Sequence, residues 1–86
     1  MSHEPTIGDL IKTREVTSAD LDAVATGWLE DRIEGPVPIG KHAVDVANAV
    51  DAYEPARHAL DDEAMHEDER RAAIREAILL APASSA

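Results

Sequence analysis

The sequence predicts an all-α fold, a small bundle of about three helices near residues 18–34, 40–53 and 62–81. Three observations point there. Apolar residues recur at helical spacing from Leu21 to Ile33, Lys41–Tyr53 is apolar around much of a helical circumference, and Ile74–Ala81 carries an apolar edge that Pro82 ends. At 86 residues the chain reads as one domain, 1–86, with 1–5 and 82–86 as flexible tails.

The elements follow in order. Ile7, Leu10 and Ile11 stand at i, i+3, i+4, with Asp9 three residues after Thr6. That pattern fits a short N-terminal helix of one or two turns, with a short strand as the alternative. Thr17 and Asp20 then make a capping box in which Asp replaces the usual Glu, and Val16 and Leu21 are spaced for a hydrophobic staple. Leu21, Val24, Ala25, Trp28, Leu29 and Ile33 continue one apolar stripe, with Gly35 as its stop signal and Pro36 barring continuation.

Gly35–Gly40, GPVPIG, reads as a stiff apolar connector. With Lys41 it matches the letters of a phosphate-binding G-x-x-x-x-G-K loop, but the chemistry rejects the match. Two of its four variable positions are prolines without an N–H, and His42 stands where the Mg²⁺-binding hydroxyl belongs. Lys41–Tyr53 is apolar around much of a helical circumference, which predicts a helix buried on more than one side, ended by Pro55. Pro55–Leu60 suits a short turn of helix with proline at its start. Beyond it, acidic residues precede Arg70, Arg71 and Arg75, the order the helix dipole favours, and Ile74, Ala77, Ile78 and Ala81 form an apolar edge up to Pro82.

Composition narrows the function. The chain has no cysteine, so it has no disulfide, thiolate metal site or thiol nucleophile. Its net charge of −10 argues against direct binding to nucleic acid or to an anionic membrane. It has neither a membrane-length apolar run nor a signal peptide, so the expected location is the cytoplasm or an assembled particle. The acidic excess sits in residues 1–34 and 61–86, leaving the middle nearly neutral.

Leu, Ile and Val together number 18, Phe is absent, and there is one Trp and one Tyr. So few large side chains make a marginal core, and a subunit completed by a protein partner or a second copy is the expectation. The contact surface is then drawn from Trp28, Leu29 and Ile33, with Val44, Val46, Val50, Tyr53, Ile74 and Ile78 shared between core and interface.

Glu63-Ala-Met-His66 resembles the Glu-x-x-His motif of ferritin-like di-iron bundles, and a helix unbroken from residue 58 would align His58, Asp62 and His66. The resemblance covers four residues in a solvated, acid-rich run, so no metal or cofactor is expected, and an oligomeric metal-binding protein stays a distant alternative. Ser2, Ser18, Ser84 and Ser85 lack the setting of a nucleophile, and no enzyme is expected. The acidic outer segments leave a further alternative, a DNA mimic or antitoxin-like inhibitor of a basic partner. The sequence therefore points to a non-catalytic structural or interaction subunit of a larger assembly, such as a virion or a multi-subunit complex.

Overall fold

Prolines at alternate positions 36 and 38 are compatible with one kind of strand, an edge strand whose outward N–H groups are not needed. The computed structural model of the chain describes residues 5–85, and there Pro36–Ile39 is such a strand, β1. It turns through Gly40 and Lys41 and returns as β2, His42–Asp45, with Val37 opposite Val44 and Ile39 opposite His42. A two-residue turn makes the flanking Ile39–His42 pair, and then Val37–Val44, the hydrogen-bonded ones. Pro36 and Pro38 thus fall where an N–H would point away from the sheet. The outer edge of β1 lacks two donors and resists addition of a further strand.

Gly40 is required at the turn for two reasons. Its φ of +59° is the left-handed region that primed hairpin turns demand. A Cβ there would also lie 3.0 Å from the Glu15 carbonyl oxygen.

The fold is therefore mixed α/β, and the all-α bundle is corrected. Among the described residues five helices surround the hairpin: α1 Ile7–Lys12, α2 Ser18–Asp31, α3 Val46–Ala52, α4 Glu54–Asp61 and α5 Glu67–Leu80. A two-residue strand, β3 Ser84–Ser85, pairs antiparallel with β2, giving the sheet order β1-β2-β3.

The helix expected from residue 40 begins only at Val46, because residues 42–45 pair with β1. Asp45 ends the strand and caps α3, its Oδ1 accepting from Asn48 N–H at 3.0 Å. The helix expected over 62–81 begins at Glu67. Before it, Asp62 Oδ1 accepts from Ala64 N–H at 2.9 Å, a turn that competes with helix, and Arg70 Nη2 donates to the Asp62 carbonyl at 2.6 Å.

The helix expected over 18–34 ends at Asp31. Arg32 takes the left-handed conformation, φ 51°, and its N–H bonds the Trp28 carbonyl three residues ahead of Gly35. The tail expected at 82–86 is paired through residue 85. Thr6 bridges Pro82, Ala83 N–H donates to the Pro5 carbonyl at 2.9 Å, and β3 lies against β2. Residues 1–4 and 86, also read as tail, lie outside the described residues.

Both threonine capping boxes form. Thr6 and Asp9 at α1, and Thr17 and Asp20 at α2, exchange reciprocal backbone-to-side-chain bonds. Each cap is worth about 1 kcal/mol. α1 closes with a Schellman motif: Arg14 N–H bonds the Ile11 carbonyl, Glu15 N–H bonds the Leu10 carbonyl, and Arg14 stands at φ 66°.

α5 is the axis of packing, with α1, α2, α3 and α4 all lying against it. Its Ile74, Ala77 and Ile78 join Ile7, Val16, Leu21, Trp28, Ile39, Val44 and Val46 in one core, and no polar residue is buried among them.

Candidate functional site

α3 is short and small-sided. Asp45 caps its start, and at its end Tyr53 takes an extended conformation that closes α3 and opens α4. Pro55, in the first turn of α4, cannot extend the earlier hydrogen-bond ladder, so the chain bends at Tyr53. The face of α3 turned to α5 carries Ala49 and Ala52, and the facing end of α5 carries Ala77, Leu80 and Ala81.

Alanines let the two helices approach but do not fill the space between them. What results is an open groove of about 370 Å³ lined by Asp45, Asn48, Ala49, Ala52, Tyr53, Ala77, Leu80, Ala81 and Pro82. A smaller hollow, bounded by Tyr53, Glu76, Leu79 and Leu80, adjoins it. Leu80 forms a wall and is 64% exposed, whereas Ala77 in the floor is 1% exposed. An apolar wall standing in water beside a buried apolar floor is a surface that gains by being covered.

The polar groups stand at the margins. Tyr53 Oη donates to Glu76 Oε2 at 2.9 Å, tying the α3–α4 bend to α5. That hydrogen bond, followed by desolvation and the carboxylate's charge, holds the Tyr53 phenol above the ordinary tyrosine value of 10.0. Asp45 marks the other end of α3. No cation lines either hollow, and both charged lining residues are acidic.

The structure distributes the sequence-derived candidates differently. Trp28, Val44, Val46, Val50, Ile74 and Ile78 are buried core residues. Trp28 has its polar handle satisfied as well: Nε1 donates to the Ile33 carbonyl at 3.1 Å, and the Arg32 guanidinium lies over the ring at 4.9 Å. Leu29 is half-buried and Ile33 is 45% exposed. Tyr53 alone among the nine lines the groove. Ala49, Ala77, Leu80 and Ala81 were missed, although Ala49/Ala52/Tyr53 and Ala77/Leu80/Ala81 both stand at i, i+3, i+4, which places each set on one helix face.

The metal candidates do not converge. α4 stops at Asp61 and α5 starts at Glu67, so no unbroken helix aligns His58, Asp62 and His66. His58 Nε2 lies 3.2 Å from Glu54 Oε1, Asp62 bonds Ala64, and Glu63 and His66 are exposed in the intervening loop. Among the described residues no three His, Asp or Glu side chains are grouped to hold a metal ion. Nor is any described helix long and apolar enough to cross a membrane. Comparison with protein-family models, with curated proteins and with solved structures finds no match to this chain.

Proposed function

We propose that the chain is a non-catalytic protein-interaction subunit that seats an apolar side chain of a partner protein in the groove between α3 and α5. The observation that carries this reading is the exposed Leu80 wall above a buried alanine floor. Covering it would remove apolar surface from water without disturbing the core cluster, of which Leu80 is not a member. The reading places the protein inside the cell or within an assembled particle.

The acidic-mimic alternative needs a basic partner but no groove, since carboxylates on an exposed helix would suffice. Selection of a displayed random peptide library on the intact chain, repeated on the Leu80→Asp variant, separates the two. Groove docking predicts enriched peptides that weaken at least tenfold on the variant while its unfolding midpoint holds. Peptides that bind both chains equally, or no enrichment, contradict it.

A further inference from the structure

We infer that the groove's occupant is a basic segment of another protein, with an apolar anchor between two cations, and not a second copy of this chain. The inference rests on the docking reading above and adds the partner's chemistry.

It comes from where the charges stand. The two carboxylates of the linings lie toward opposite ends of α3: Asp45 is its N-cap, and Glu76 is bonded to Tyr53 at its C-cap. Eight residues of rise separate positions 45 and 53, roughly 12 Å along the helix axis. Each carboxylate has one oxygen already engaged, Oδ1 of Asp45 by Asn48 N–H and Oε2 of Glu76 by the tyrosine hydroxyl. The second oxygen of each remains available to a guanidinium or ammonium group. Between them the lining is apolar apart from Asn48, and it contains no cation to repel or satisfy a partner's charge.

A partner that matches this layout carries Lys or Arg on both sides of an apolar side chain, one cation for each carboxylate. A second copy of the chain fits poorly. Each copy carries a net charge of −10, so approach is opposed by long-range repulsion. On α5, Arg70 is engaged with the Asp62 carbonyl and Arg71 with Asp68 at 3.4 Å, which leaves Arg75 as the one α5 cation without a partner among the described residues, where the layout calls for two. Strand addition is also blocked at the β1 edge by Pro36 and Pro38.

The test uses peptides selected from the displayed library on the intact chain, then synthesised and labelled for fluorescence polarisation. Enriched sequences should have a net positive charge and an apolar position flanked by Lys or Arg. Their affinity should fall at least fivefold between 50 and 300 mM salt. Asp45→Asn keeps a good helix cap and Glu76→Gln keeps an acceptor for Tyr53, so both variants should fold. Each should weaken binding about three- to tenfold, and Leu80→Asp at least tenfold.

Enriched peptides that are neutral or acidic, or whose binding ignores both charge variants while Leu80→Asp abolishes it, would overturn the basic-partner inference and leave the groove reading standing. Peptides indifferent to Leu80→Asp would overturn both. A dimer seen by light scattering, dissociated by Leu80→Asp and by the peptide, would make the occupant a second copy.

Discussion

α2 and α3 both pack on α5, and they do so by opposite means. α2 is 14 residues long and presents Leu21, Ala25 and Trp28, the indole sealed by its hydrogen bond to Ile33 and by the Arg32 guanidinium. α3 is 7 residues long, buries Val46 and Val50 in the core, and meets the end of α5 through alanines. α2 brings one large side chain, Trp28, into the core, whereas the contact of α3 with α5 is left open along a groove. In a chain with so few large apolar residues, where the largest one stands decides which surface is complete. Low core content here does not weaken the packing evenly; it is concentrated in one face of α3 and α5.

The sharpest way to break this comparison is to remove the seal. Trp28→Ala should cost about 3–5 kcal/mol, enough to unfold much of the population of a domain this small. Leu80→Ala, at the groove wall, should change stability by less than about 0.5 kcal/mol. Urea unfolding of the two variants beside the parent checks both. Comparable losses would mean that the α3–α5 groove belongs to the core.

The hairpin that separates the two helices gives the next effect. Gly40→Ala puts a Cβ at a left-handed φ and against the Glu15 carbonyl, at an expected cost of about 1–2 kcal/mol. The same unfolding series reads it. Caps come next. Thr17→Ala at α2 and Asp45→Ala at α3 should each lose about 1 kcal/mol. Equal losses would show that the helices differ in packing and not in how they start.

The smallest effect concerns Tyr53. Its neutral form is favoured in the fold because its hydroxyl donates to Glu76, so its folded value lies above the unfolded one of about 10. The contribution to stability is therefore fully present below that unfolded value and is lost as pH rises through the folded one. With one tyrosine in the chain, tyrosinate absorbance follows a single group. It should titrate above 10 in the parent and closer to 10 in Glu76→Ala. A midpoint identical in both would remove the Tyr53–Glu76 bond from the account.

The same contrast explains how far the sequence was legible. α2 was readable because Thr17–Asp20 is a local signal whose chemistry acts within one turn; the same signal at Thr6–Asp9 heads a segment so short that its period left a strand open. Pro55 and Pro82 marked boundaries for the same reason. Residues 36–45 were not readable as a hairpin. HAVDV carries both the alternation of a strand and the crowded apolar surface of a buried helix, and so short a run does not separate the two periods. The usable clues were Gly40 in a two-residue turn, with Val37 and Ile39 before it and Val44 after it, and Asp45 three places before Asn48.

The candidate site was least legible of all. A groove is set by what is missing between two helix faces whose facing residues, such as Ala49 and Ala77, are far apart in sequence. Alanines at i, i+3, i+4 on each predict close approach, but not whether a larger side chain nearby fills the gap. Trp28, the largest apolar residue, is a sealed part of the core, whereas Leu80, near the end of α5, stands open.

The most direct test of the central claim, that the open α3–α5 face is the docking surface, is amide chemical-shift mapping of the chain with a selected basic peptide. The account predicts perturbations centred on Asn48, Ala49, Ala52, Tyr53, Ala77 and Leu80. Perturbations centred instead on Ile33 and the end of α2, or spread evenly over the acidic surface, would contradict it.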